Sequence, residues 1–161
     1  MRINVAASVA GVAMIFGLAA VQASSSAQTP TGHVMVNPAD MKWGPAPPGL
    51  PPGGQLAVMS GDPAKPGPFT IAVKFGDGYI VRPHWHPTAE DIIVVSGALL
   101  VGMGDTYTEA SMKALEVGGF GSMPAKTNHF VKAKGATTLM ISGMGPFEIT
   151  YVDPKDDPRK K

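Results

Sequence analysis

Between Gln55 and Val152 glycine and proline cut the sequence at short intervals, leaving few stretches long enough for a packed helix. What lies between the breaks alternates. Phe69, Ile71, Val73 and Phe75 take every second place against Thr70, Ala72 and Lys74, the pattern of a strand with one buried face. The same reading predicts strands over Gln55–Met59, Glu90–Val95, Ala98–Met103, Phe120–Met123, His129–Ala133, Thr137–Ser142 and Pro146–Val152. Gly104–Val117 stays open: Thr106–Thr108 reads as strand, and Glu109–Leu115 as a helical turn or a strand. The 20 glycines and 16 prolines serve as turns in a chain of 161 residues, which has room for one ordinary domain. Short strands with frequent turns predict an all-β sandwich or barrel.

Within this frame, residues 78–97 read GYIVRPHWHPTAEDIIVVSG. On a strand, alternate side chains share a face, so His84 and His86 project together while Trp85 points away. Pro83 and Pro87 flank the pair and suit strand ends or turns. Glu90 opens the next strand and can fold back beside the two imidazoles. Two neutral imidazoles and a carboxylate at one point suit a divalent metal. His129, in the turn-and-strand stretch Met123–Val131, is a fourth candidate. A lone histidine is more often a surface or hydrogen-bonded core residue, and His33 has that reading alone.

The spacing resembles the cupins. Their first motif is Gly, five residues, His-x-His, three or four residues, Glu, six residues, Gly, and Gly78, His84, His86, Glu90 and Gly97 match it without a gap. In the second motif, Gly118, Pro124 and His129 stand at the family spacing, while Lys126 replaces a glycine and Ala133 an asparagine. The likeness covers about Gln55–Tyr151. It implies a cupin double-stranded β-helix, the jelly-roll barrel. It also implies a metal site of His84, His86, Glu90 and His129 for one divalent transition ion: Fe, Mn, Ni, Cu or Zn. Apolar residues such as Ile71, Val73, Ile92, Val94 and Phe130 are expected to line a dry pocket around it. Cupins pair through an outer sheet face, so the resemblance implies a homodimer.

The ends read differently. Arg2 followed by the apolar, Ala-rich run Val5–Val21 and the small residues around Val21-Gln22-Ala23 predict a signal peptide over 1–23. The product is exported, to the periplasm or beyond, with no stable membrane insertion after removal. Without cysteine it has no disulfides, and packing and a bound metal must stabilise it. Residues 24–54 form a flexible lead and an extended Pro/Gly-rich arm with Trp43 as anchor, 55–152 the cupin domain, and 153–161 a polar tail. A charged fraction of 16% and a net charge of +1 exclude nucleic acid and anionic membrane as partners. The scattered methionines read as core filling.

Other groups carry less. Glu90 is a general base only if it is not a ligand. Asp91 faces the opposite side of its strand. Lys126 is placed to meet an anion near the mouth but reads first as an exposed lysine, and Asn128 as an orienting neighbour of His129. Tyr107, Glu148 and Tyr151 have no place that the sequence fixes. The fold does not supply the function. The leading expectation is a metal-dependent enzyme of oxygenase type acting on a small organic molecule. The alternative is a metal- or ligand-binding module without turnover, of the ChrR-like sensor type. A purely structural β-protein leaves the histidine spacing unexplained.

Overall fold

The computed structural model describes residues 32–161. The predicted signal peptide 1–23 and the lead as far as residue 31 lie outside the described residues. The rest is an antiparallel sheet of nine strands curled into the expected jelly-roll barrel. In order these are β1 (Gly44–Pro45), β2 (Gln55–Ser60), β3 (Gly67–Phe75), β4 (Ile80–Trp85), β5 (Glu90–Met103), β6 (Lys113–Leu115), β7 (Phe120–Met123), β8 (His129–Gly145) and β9 (Thr150–Tyr151). Short 3₁₀ turns at Pro38–Asp40, Glu109–Ser111, Pro154–Asp156 and Pro158–Lys160 are the only helical pieces among the described residues.

Two long strands organise the sheet. β5 and β8 pair along their whole lengths, from Glu90 opposite Gly143 to Met103 opposite His129. The other edge of β8 takes β4 along its first half and β3 along its second. β2 and β1 continue outward from β3, β9 flanks β4, and β6 and β7 flank β5.

The predicted pairs Glu90–Val95 with Ala98–Met103, and His129–Ala133 with Thr137–Ser142, are therefore single bent strands. Gly97 and Gly135, at φ +71° and +75°, make the bends within them. A left-handed glycine inside a strand makes a bulge as readily as a turn, and sequence alone does not separate the two. The predicted Pro146–Val152 strand shrinks to Thr150–Tyr151: Pro146 has no N–H to give, and the Phe147 N–H goes to the Pro63 carbonyl at 2.7 Å. Pro83 is not at a strand end but inside β4, where the register with β8 shifts between Val81 and His84. A shifted register is where a residue without a donor costs the ladder least. Gly104–Val117 resolves into the Glu109–Ser111 turn followed by β6, with Thr106–Thr108 outside any strand.

The core is the barrel interior. Phe69, Ile71, Val73 and Phe75 of β3 meet Ile92 and Val94 of β5 and Val131, Leu139 and Ile141 of β8. Burying a side chain of this size stabilises by about 1.5–3 kcal/mol relative to exposure. The arm lies against the barrel as expected: Gly44 and Pro45 pair with Leu56 and Gln55, and Trp43 receives the Lys74 ammonium 3.9 Å above its ring.

Candidate metal centre

Four side chains from three strands and a turn converge inside the barrel. His84 of β4 and His129 of β8 are direct cross-strand partners, with ring centroids 4.2 Å apart. His86 follows just after β4, its ring 5.0 Å from His84 and 5.4 Å from His129. The ligating nitrogens of the three imidazoles lie within 4.8 Å of one another. Glu90, at the start of β5, brings Oε2 to 3.2 Å from His129 Nε2 and 3.6 Å from His86 Nε2. All four residues are buried.

Backbone carbonyls fix the imidazoles. His84 Nδ1 donates to the Arg82 carbonyl at 2.8 Å, His86 Nδ1 to that of Glu148 at 2.7 Å, and His129 Nδ1 to that of Thr127 at 3.0 Å. A carbonyl only accepts, so in each neutral ring the proton sits on Nδ1 and Nε2 presents a lone pair. Phe147 stacks on His86 at 4.2 Å and 17°, holding the ring plane. Burial pushes the His84 pKa well below the usual histidine value, with the neighbouring His129 and His86 adding to the fall. Burial lowers His86 as well, against the opposing pull of Glu90.

Glu90 Oε2 is buried without a hydrogen-bond partner. An unpaired carboxylate oxygen in an apolar interior is costly, and here it faces imidazole lone pairs. A cation between them answers both, and the donor set of imidazole nitrogens and a carboxylate oxygen suits a divalent transition metal. The residues present therefore fit the group that the motif implies.

The turn before His129 ties the two motifs together. Lys126, standing where a glycine is expected, keeps the glycine conformation at φ +60°. Its N–H donates to the His86 carbonyl at 2.8 Å, and the next residue supplies the carbonyl that holds His129. The lysine side chain is exposed and outside the cavity lining, so it meets nothing in the site.

A cavity of about 240 Å³ opens beside the cluster. Ile71, Val73 and Ile92 line it as expected; Val94 and Phe130 do not. Val94 is packed in the hydrophobic core without lining the cavity. Phe130 follows the inward His129, so alternation sends it to the outer face, where it lies against Gly102 and Tyr107. Sequence reasoning missed the arm: Pro47 and Leu50 form part of the wall, with Phe147 and Ile149.

The remaining candidates sort out plainly. Asp91 is exposed, and so is His33. The Asn128 amide donates to the Asp105 side chain at 2.6 Å, away from the cluster. The Tyr107 hydroxyl donates to Glu109, which also takes two bonds from Lys132. Glu148 serves through its backbone carbonyl and lies along the cavity lining. The Tyr151 hydroxyl donates to the Gly49 carbonyl at 2.9 Å.

A family profile described as the ChrR Cupin-like domain matches residues 31–148. No curated protein matches the sequence. Among solved structures, the chain is similar to KdgF from Halomonas sp., at 25% identity over 70% of this chain and 92% of that one, with a TM-score of 0.53. It is similar in fold to the polyketide cyclase RemF from Streptomyces resistomycificus, at 15% identity over 80% and 92%, with a TM-score of 0.64. A similar fold is that of an RmlC-like cupin from Shewanella frigidimarina NCIMB 400, at 14% identity over 70% and 91%, with a TM-score of 0.54.

Proposed function

The chain belongs to the ChrR cupin-like family, and from that premise we propose that it is an exported, metal-dependent enzyme of oxygenase type acting on a small organic molecule. The observation that carries the reading is the unpaired Glu90 oxygen facing the imidazoles of His86 and His129, in a cluster of three imidazoles whose Nδ1 protons are already committed. His84, His86 and His129 would bind the ion through Nε2, with Glu90 as the fourth ligand. Four protein ligands leave one or two places on a five- or six-coordinate ion for substrate or water. The ion, one of Fe, Mn, Ni, Cu or Zn, would supply Lewis acidity and, where redox-active, electrons. Ile71, Val73 and Ile92 keep water away from that face.

Metal analysis of the purified and reconstituted protein tests the centre. One equivalent is expected, lost in His86→Ala, with the bound ion raising thermal stability because it binds only the folded state. No bound metal under either condition ends the reading. Oxygen uptake with diketones, flavonols and catechols, dependent on the ion and abolished in His86→Ala, tests the activity.

A second reading, a binding module without turnover, is favoured by the cavity lining, which among the described residues holds no acid or base beyond the cluster except Glu148. Tight metal binding with no turnover across the panel selects it. Export through cleavage of residues 1–23 predicts a mature amino terminus near Ser24, read by amino-terminal sequencing of the secreted or periplasmic protein. Among the described residues no helix is long and apolar enough to cross a membrane. The reading also includes a homodimer built on an outer sheet face.

A further inference from the structure

The cavity wall is asymmetric in chemistry. One end is the histidine–glutamate cluster; the rest includes Pro47, Leu50, Ile71, Val73, Phe147 and Ile149. Among the described residues no lysine or arginine lines it, and the acidic residues that do are Glu90 and Glu148. The Arg159 guanidinium, close to Gly49, is tied to Asp157 by bonds of 2.8 and 2.9 Å and to the Ile149 carbonyl at 3.0 Å. A carboxylate or phosphate away from the cluster would be desolvated with no cation to meet it.

The arm segment of the wall is held in place. The buried Tyr151 hydroxyl bonds the Gly49 carbonyl, the Tyr79 hydroxyl bonds the Pro51 carbonyl, and the Ala46 N–H donates to the Gly54 carbonyl at 3.0 Å. Gly49 lies so close to Ile149 that a Cβ there would stand 2.6 Å from its Cγ2. Leu50 is thus fixed over the cavity.

We propose that the cavity selects a small molecule with one polar head toward the cluster and an uncharged hydrocarbon remainder, and that Leu50 of the arm is a residue that reads the remainder. This rests on the reading above that the cavity is the substrate site. At about 240 Å³ it lies below the range of drug-sized pockets, which suits a ligand of about ten non-hydrogen atoms.

Titration calorimetry of the zinc-loaded full chain with hexanoate and glutarate, equal in head group and similar in size, tests it. Hexanoate is expected to bind at least tenfold more tightly. Hexanoate no tighter than glutarate, including no binding of either, overturns the proposal. If the chain takes up none of Fe, Mn, Ni, Cu or Zn, the metal reading falls; where zinc in particular is not taken up, the comparison of 2-heptanone with levulinate on the metal-free chain decides this proposal. Preference for 2-heptanone upholds it; equal binding, or none, overturns it. In Leu50→Lys, with melting temperature as the folding control, glutarate should gain about tenfold relative to hexanoate. An unchanged ratio in a folded variant removes Leu50 from the recognition.

Discussion

Single residues set the state of the cluster before any ion arrives. Folded, His84 resists protonation because it is buried beside two other imidazoles, and His86 resists it mainly because it is buried. Unfolded, both titrate near the ordinary histidine value of about 6.5. Their folded pKa values lie below the unfolded ones, so on acidification the unfolded chain takes up protons that the folded chain refuses. Stability of the metal-free protein should therefore fall as pH drops below about 6.5, by up to about 1.4 kcal/mol per pH unit for each such histidine. Urea unfolding at pH 7.5, 6.5 and 5.5 measures this, and a midpoint that does not fall between the last two contradicts it. The same residues show what a motif conveys. Spacing placed His84, His86, Glu90 and His129 together because alternation and register are periodic properties. It did not convey the Arg82, Thr127 and Glu148 carbonyls that set the tautomers, since any residue type supplies a carbonyl. Lys126 is intermediate: the motif expects glycine there, and the structure keeps the left-handed backbone while changing the side chain.

At the scale of elements, the bulge in β5 and the arm deliver the site's two halves. Before the bulge Glu90, Ile92 and Val94 face inward; after it Leu99 does, so Gly97 shifts the phase of the strand by one residue. A Cβ at Gly97 would stand 2.5 Å from the Ala136 carbonyl oxygen, at a φ that L-residues rarely adopt. Gly97→Ala should cost about 2 kcal/mol or more in thermal unfolding. Gly76→Ala, where a Cβ meets nothing within 4 Å, is the control expected to leave stability within about 1 kcal/mol. The strand positions were legible because alternation survives in Phe69–Phe75 and Glu90–Val94. The continuity of β5 and β8 was not, because glycine marks bulge and turn alike. The arm was legible as extended from its prolines, but its place over the cavity depends on Tyr151 reaching Gly49 across 102 positions of sequence. No local pattern reports such a contact. Tyr151→Phe would leave a buried carbonyl without its donor, a loss of about 1–3 kcal/mol. Amide exchange at Ala46 and Leu50, both hydrogen-bonded within the arm, should accelerate. Unchanged exchange there would show that the arm is held without that bond.

The whole molecule has one more surface to account for. Alternation along β5 that turns Glu90, Ile92 and Val94 inward turns Ile93 and Val95 outward, where they are 47% and 48% exposed. Register places Ile93 opposite Phe120 of β7, itself 59% exposed, and opposite Met140 of β8. The result is an apolar stripe across three neighbouring strands on the face opposite the cavity. Isolated apolar residues on a surface are ordinary, but a contiguous stripe is typical of interfaces. A two-fold partner using the same stripe would cover it and leave both cavities open, since they lie on the inner face. The chain should elute as a dimer, with twice the chain mass by light scattering. Ile93→Glu combined with Phe120→Glu should yield a monomer, because burying two carboxylates without partners costs more than such an interface returns. Neither side chain touches the histidines, so metal content per chain should stay at the wild-type value. A wild-type chain that is monomeric at micromolar concentration would leave the stripe as plain surface and the barrel as a unit sufficient on its own.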